Sequence, residues 1–377
     1  MGQVMKMPEL QNILEQYGKQ YKEKHNLPIY VKKTLNAIEK CRTAELGAHE
    51  DICDHCGHRK ISYNSCRNRH CPKCQTSAKE KWIYNQKFNV LNVQYFHVVF
   101  TIPDILNKVV YYNQTKMYNI MFKAVSETLQ ELANDKKYLG AQIGFTTILH
   151  TWGQNLKDHP HIHCIVPAGG LDSLGKWRNS KKKFFIPVKV LSRVFRGKLI
   201  YYIKQEKLDF YKEIEELKIQ QEFDKFISSL YAKDWIVYCK PPFKNANSVI
   251  EYLGRYTHRV AISNNRILNI NNGKVTFKWR DYRDNNKMKT MVLDVEEFIR
   301  RFILHILPPR FMKIRHFGLL GNRNKTKKLT LCKSLTNTKV LTKENISPLE
   351  ILKKVSGKDF NLCPICKIGH LIRPSPA

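Results

Sequence analysis

Residues Gly153 to Gly170 read GQNLKDHPHIHCIVPAGG. His159, His161 and His163 stand at alternate positions, ahead of the apolar run Cys164, Ile165 and Val166 and then a proline and two glycines. Alternation is the side-chain period of a β-strand, so the three imidazoles would project from one face. Neutral imidazole is a common metal ligand, and two ligands on one strand face converge without a special loop. Surface histidines beside a turn are the plain alternative. Three in five residues ahead of an apolar run favour a metal-binding strand.

Working outward, Ile143 to Thr151 reads as a second strand, joined to the first through Asn155 to Asp158. So short a link implies an antiparallel hairpin. Gln154 would then lie near its mouth as a third, oxygen ligand, with His159 competing for that role. YFHVVFTI (95–102) reads as a buried strand stopped by Pro103, and Tyr118, Met121, Phe122, Val125, Leu129 and Leu132 follow helical core spacing. Residues 188–232 are amphipathic and helical, and WIVYC (235–239) is a short strand ended by Pro241-Pro242.

Ser248 and Glu251 then form a capping-box pattern that opens a helix carrying Tyr252 and Tyr256, with Arg255 and Arg259 beside them. The tyrosines are four apart and share a face. Because Val249, Leu253, Tyr256 and Val260 form the apolar stripe, the helix alone allows either core tyrosines or a reactive pair. Strands at 266–270, 274–282 and 287–293 surround the Asn272-Gly273 turn. A helix capped by Asp294 runs to Ile306, before Pro308-Pro309. Helices mixed with hairpin-linked strands indicate an α+β fold.

Composition narrows the function. The chain has 377 residues and carries 65 Lys and Arg against 32 Asp and Glu, a net charge of +33 spread along its length. Such a field attracts a polyanion, nucleic acid above all. No apolar run approaches the ~18 residues of a spanning helix, and MGQVMKMPELQNILEQYGKQ lacks the apolar core of a signal peptide. The expectation is a cytoplasmic protein without a membrane partner. Eleven cysteines in that compartment argue for thiols and metal rather than disulfides.

Cys53 and Cys56, then Cys71 and Cys74, form two CxxC knuckles separated by 14 residues. Together they are expected to hold one structural Zn²⁺. Cys41, His49, Cys66 and His70 are surplus, either part of a second site or, as we favour, a packed thiol and supporting imidazoles. The interleaved Arg59, Lys60, Arg67, Arg69 and Lys73 suit phosphate contact, although a solvated basic face would look the same. Near the other end, Cys363 and Cys366 form a third knuckle, for which Cys332 and His370 are candidate completing ligands.

Five segments occur in order: CRNRHCPKCQ (66–75), FHVVFTIP (96–103), HPHIHCIVPAGG (159–170), YLGRYTHRVAIS (252–263) and EFIRRFILHILPPRF (297–311). In this combination the chain resembles the rolling-circle transposases of the insertion-sequence ninety-one type, over about residues 35 to 320. These are two-tyrosine HUH enzymes, related in chemistry to helitrons, replication initiators and conjugative relaxases. The resemblance implies an HUH endonuclease-type antiparallel sheet with flanking helices, preceded by a small zinc-binding module. It divides the chain into a helical and zinc-binding DNA-recognition domain (1–85), a catalytic domain (86–315) and a basic region (316–377).

It further implies single-strand DNA cleavage and strand transfer through a 5′-phosphotyrosine bond. His161 and His163 would be the metal-binding pair and Tyr252 and Tyr256 the nucleophiles, with Arg255 and Arg259 on the phosphate and Arg67 and Arg69 on DNA. Mg²⁺ or Mn²⁺ would be the catalytic ion and Zn²⁺ the structural one. The partners would be single-stranded and transposon-end DNA, with host replication proteins beyond them and no small-molecule substrate. Three other readings compete: a replication initiator or relaxase of the same chemistry, a histidine-triad-like nucleotide hydrolase, and a non-enzymatic zinc DNA-binding protein. The hydrolase leaves the tyrosines, knuckles and charge unused, and the last leaves the histidine strand unused.

Overall fold

The computed structural model describes residues 7–180, 186–243, 248, 249, 252, 254, 257–282, 284–344 and 346–374. Helices α1 (Leu10–Lys24) and α2 (Ile29–Glu39) come first, then the hairpin β1 (Ala48–Cys53) and β2 (Arg59–Tyr63) and helix α3 (Pro72–Lys87). Next are β3 (Tyr95–Thr101), α4 (Asn107–Tyr112), α5 (Gln114–Asn134), β4 (Gly144–Trp152) and β5 (Asp158–Pro167). A small ribbon, β6 (Gly169–Leu171) and β7 (Trp177–Asn179), leads to α6 (Val188–Gln205), α7 (Gln220–Tyr231) and β8 (Val237–Phe243). The chain continues through β9 (Ile267–Asn271), β10 (Lys274–Asp281), β11 (Lys287–Asp294), a helix at Val295–Leu304 and β12 (Ile314–Gly318). Helices Lys325–Leu335 and Pro348–Ser356 precede a last short strand, β13 (Leu371–Ile372). The fold is α+β, as expected.

Five strands form the central antiparallel sheet in the order β12-β4-β5-β3-β8. Its two faces separate by the period of two. Phe96, Val98 and Phe100 of β3, Phe145 and Leu149 of β4, and Ile162, Cys164 and Val166 of β5 pack with α5 and α6 in the largest core. Residues between them point the other way, so His97, His150, His161 and His163 share the opposite face. That face is covered by Ile83 and Trp82 of α3 and by Val249 and Tyr252, which pack with Tyr95, Ile148 and Ile165. Ser248, Val249, Tyr252, Gly254 and Thr257 are helical, as expected of this segment, while Glu251 of the capping pattern lies outside the described residues.

Pro241-Pro242 was expected to end its strand, yet β8 continues to Phe243. The reason is position: β8 is the sheet's edge, where proline's missing N–H removes no ladder bond on the open side, and the register slips between Tyr95 and His97 beside it.

The meander β9-β10-β11 closes through Asn272 and Gly273, both at positive φ (46° and 69°), the conformation a two-residue hairpin requires. Its inner face, with Val275 and Phe277, shares a core with Leu10, Ile13 and Leu14 of α1, Val31 and Leu35 of α2, and Phe298 and Phe302. The beginning of the chain therefore packs on residues from its last third. β13 likewise pairs with β1, aligning Ile52 with Ile372 and Cys53 with Leu371. Among the described residues, no helix is long and apolar enough to cross a membrane.

Candidate active site and metal centres

The β4–β5 hairpin sets His150 directly across from His161 and Ile148 across from His163. The imidazoles of His150, His161 and His163 come together, with one ligand atom from each lying within 4.8 Å of the others. All three are buried. His161 Nδ1 donates to the carbonyl of His159 at 2.5 Å, which leaves Nε2 for a cation. Burial pushes the His161 imidazolium pKa down to about 3, with the neighbouring His159 adding to it, and burial drives His163 well down too. At neutral pH the His161 and His163 rings are uncharged, and with the His150 ring beside them the cluster fits a divalent ion.

The third nitrogen corrects the expectation for Gln154. β4 runs on to Trp152, so residue 154 lies in the turn beyond the sheet, where its side-chain Nε2 donates to Tyr282 Oη at 3.1 Å. His150, not Gln154, stands beside His161 and His163. His159 is exposed and stands outside the cluster; it offers the cluster its carbonyl instead.

A fourth histidine links this cluster to a tyrosine. His97 Nε2 lies 2.8 Å from His163 Nδ1, and His97 Nδ1 lies 2.9 Å from Tyr252 Oη. The two histidine rings are stacked and the tyrosine ring meets His97 edge-on. Burial, then the charge of Lys240, holds the His97 pKa near 3. Lys240 Nζ also lies over the Tyr252 ring, 5.9 Å from its centroid. Arg259 lies close enough for its charge to depress both His161 and His163. Lys313 bonds the Arg259 carbonyl at 3.5 Å, and burial brings its pKa down to about 8. The charge around the histidines is positive, as a phosphate requires. Tyr256 and Arg255 lie outside the described residues.

His97, His150 and Lys313 were not anticipated. His150 was legible in principle, because antiparallel register pairs positions of constant sum and places 150 opposite 161. His97 carried no local signal, because its motif reads as an ordinary buried strand.

Two sets of four cysteines also converge. Cys41, Cys66, Cys71 and Cys74 form one group and Cys53, Cys56, Cys363 and Cys366 another, each with sulfurs within 4.8 Å of one another. In the first, Cys41–Cys74, Cys66–Cys74 and Cys71–Cys41 each measure 3.6 Å. A tetrahedral zinc with ~2.3 Å bonds to sulfur separates its sulfurs by roughly 3.8 Å. The expected grouping of Cys53 and Cys56 with Cys71 and Cys74 is therefore wrong, and Cys41 and Cys66 are not spare. The cause is the hairpin between the knuckles: Cys53 ends β1 at its tip, whereas Cys66 follows β2 at its base. Some six residues at ~3.4 Å each separate tip from base by roughly 20 Å.

Other expected ligands are occupied elsewhere. Cys332 is buried with Leu91, Leu319 and Leu329, and His370 Nε2 lies 3.2 Å from Asp359. His49 meets Asn64, and His70 Nε2 accepts from the Leu307 amide. Arg67 is exposed, as a DNA contact requires. Arg69 is not: its guanidinium donates to the carbonyls of Leu307, Pro308 and Phe311. These follow the helix Val295–Leu304, in a turn whose carbonyls lack helical partners, so Arg69 serves the fold.

A family model described as "Transposase zinc-binding domain" matches residues 13–102, and one described as "Putative transposase" matches residues 144–328. A relative from Sinorhizobium fredii (strain NBRC 101917 / NGR234), "Putative transposase y4qJ", is 43% identical over 375 residues, 97% of this chain and 94% of that one. "Transposase for insertion sequence element IS801" from Pseudomonas savastanoi pv. phaseolicola is 28% identical over 301 residues, 77% of this chain and 70% of that one. Among solved structures, conjugative relaxase TrwC with oriT DNA overlaps slightly, at TM-score 0.27 and 13% identity over 45% of this chain and 67% of that one.

Proposed function

The chain belongs to the transposases of the IS91 type, and on that premise we propose that Tyr252, His97 and the three histidines His150, His161 and His163 form its DNA-cleaving centre. The enzyme transposes DNA by a rolling-circle route through a tyrosine. The observation that carries the residue assignment is the unbroken path from Tyr252 Oη through His97 to His163, on the sheet face where the imidazoles converge.

The path has a direction. When Nε2 of His163 is committed to a cation, its proton sits on Nδ1 and is donated to His97 Nε2. His97 then carries its own proton on Nδ1 and donates it to Tyr252 Oη. A phenol oxygen that accepts such a bond is eased toward phenolate, which matters for a group whose ordinary pKa is ~10. The phenol O–H bond breaks as its oxygen bonds to the scissile phosphorus, and the bond from phosphorus to the 3′ oxygen breaks. The proton the phenol releases is balanced by the one, exchanged through solvent, that the 3′ oxygen takes up as it leaves as a hydroxyl. The 5′-phosphotyrosine keeps the energy of the cleaved bond for the second transfer, so no ATP is needed.

A divalent ion held by the three imidazoles would polarise the phosphate and stabilise the departing oxygen. An all-nitrogen set is softer than Mg²⁺ ordinarily prefers, and suits Mn²⁺ at least as well. Arg259 and Lys240 attract the phosphate. Tyr256, four residues after Tyr252 in the sequence, is assigned the second cleavage, because the first tyrosine stays esterified until the other strand has been cut. The substrate we assign is single-stranded DNA at the element's ends, with exposed Arg67 in the zinc-binding domain among its contacts.

The test is incubation of the protein with end-derived single-stranded oligonucleotides and Mn²⁺, followed by denaturing electrophoresis. The wild type is expected to form a covalent adduct, Tyr252→Phe and Tyr256→Phe each to permit some single cleavage but not complete transposition, and the double variant to form no adduct. An adduct from the double variant would place the nucleophile elsewhere.

A further inference from the structure

We propose that Cys53, Cys56, Cys363 and Cys366 bind a second structural zinc ion, which staples the last residues of the chain onto the first hairpin. Two of its four ligands, Cys363 and Cys366, lie outside both matched family regions, 13–102 and 144–328.

The geometry is that of two facing zinc knuckles. Cys53 and Cys366 sulfurs are 3.7 Å apart, as are those of Cys56 and Cys363, although the pairs are 313 and 307 residues apart in sequence. This is far longer than the ~2.05 Å of a disulfide and close to the roughly 3.8 Å separation about a tetrahedral zinc. The two loops repeat one another. Gly57 N bonds the Cys53 carbonyl at 3.1 Å, and Lys367 N bonds the Cys363 carbonyl at 3.1 Å. The residue after each second cysteine has positive φ, 70° at Gly57 and 54° at Lys367. A lysine in that conformation is uncommon, so the backbone of the second loop is shaped for something. Backbone amides also point at the sulfurs, from His55 and Cys56 to Cys53 and from Gly369 to Cys366, as suits thiolates.

Packing does not account for the cluster. Cys56 is exposed and Cys366 half-buried, so these thiols are not filling a core. Among the described residues the local apolar cluster contains Cys53, Cys363 and Leu371, with Cys366 against it. Such a small unit holds two distant segments together only with a cross-link, which a metal supplies at the release of thiol protons. The approach leaves no spare room: a Cβ at Gly369 would lie 2.5 Å from Asp54 Oδ1 and 2.7 Å from the Cys53 sulfur. The strand pairs Ile52–Ile372 and Cys53–Leu371 continue the same contact.

The test counts zinc in the full chain carrying His161→Ala and His163→Ala, so that only thiolate sites retain metal after dialysis against a competing chelator. Two zinc ions per chain are expected. Cys363→Ser with Cys366→Ser removes one, Cys53→Ser with Cys56→Ser removes one, and the four changes together still remove only one. Retention of both ions after loss of Cys363 and Cys366, or loss of two in the fourfold variant, overturns the proposal.

A second measurement needs no variant at these positions. In the zinc-loaded chain Cys56 and Cys366, which the fold leaves reachable, resist alkylation, and stripping the metal exposes Cys53, Cys56, Cys363 and Cys366 together. Rapid labelling of Cys363 and Cys366 while Cys53 and Cys56 stay protected would also overturn it. Neither readout depends on DNA cleavage, so its failure leaves the assignment of the histidine–tyrosine centre standing.

Discussion

At the scale of single residues the sharpest contrast is between His150 and Gln154. Both lie near the hairpin mouth, but only His150 stands on the sheet, across from His161, with its imidazole in the cluster. We expect His150→Ala to lose Mn²⁺ affinity and adduct formation as severely as His161→Ala, and Gln154→Ala to stay within about twofold of wild type. Titration calorimetry with Mn²⁺ beside the adduct assay checks this; a silent His150→Ala with a damaged Gln154→Ala would restore the oxygen ligand. His97 makes a second case. His97→Phe keeps a ring in the buried site but removes both nitrogens that join His163 to Tyr252. Loss of a partner that orients a metal ligand costs roughly 10–100-fold, and adduct formation is expected to fall by that amount while the zinc content is unchanged.

At the scale of elements, α3 connects the zinc-binding domain to the tyrosine helix. Its first turn contains Cys74 and follows Cys71, while its far half presses Ile83 against Gly254. A Cβ at Gly254 would lie 2.2 Å from Ile83 Cδ1 and 2.6 Å from Cγ1, and Ile83 is buried. Overpacking of this kind costs ~1–3 kcal/mol. Gly254→Val should therefore push the helix off α3 and reduce adduct formation about tenfold with both zinc ions still bound. Adding Ile83→Ala should recover part of the loss, since the two side chains compete for one space. Equal activity of wild type and Gly254→Val would show that Tyr252 is not positioned through α3.

For the whole molecule the informative variable is pH. His305 is buried, with Nδ1 at 3.1 Å from Thr151 Oγ1 and Nε2 at 3.0 Å from the Leu156 carbonyl, and burial holds its pKa near 4. Burial likewise takes His316 to about 4, with the charge of Lys325 adding to it. Unfolded, each would titrate near ~6.5. Between these values the unfolded chain binds protons that the folded chain refuses, so stability falls as pH drops from about 6.5 toward 4. Each such residue contributes at most ~1.4 kcal/mol per pH unit. Apparent Tm should decline from pH 7.5 to pH 5, and His305→Gln should flatten part of that decline; a Tm that rises on acidification would contradict it.

The local signals in this chain were strong where chemistry lies within a few residues. Alternating histidines at 159–163, the capping pattern at Ser248 and Glu251, the Asn272-Gly273 turn and the CxxC knuckles each act through neighbours in sequence. Strand, helix, turn and a zinc-binding domain were therefore readable, and five motifs in order carried the family. What no local pattern contained was which distant pieces meet. His97 reached the site only because β3 lies beside β5 in the sheet. Proline in β8 was tolerated only because that strand became the edge. The knuckles could be counted but not paired, because an intervening hairpin holds Cys53 apart from Cys71, while Cys53 and Cys363 join across most of the chain. Spacing limits ligands that share a loop; for ligands on separate segments, sheet order and the packing of the core decide, and those are settled only when the whole chain has folded.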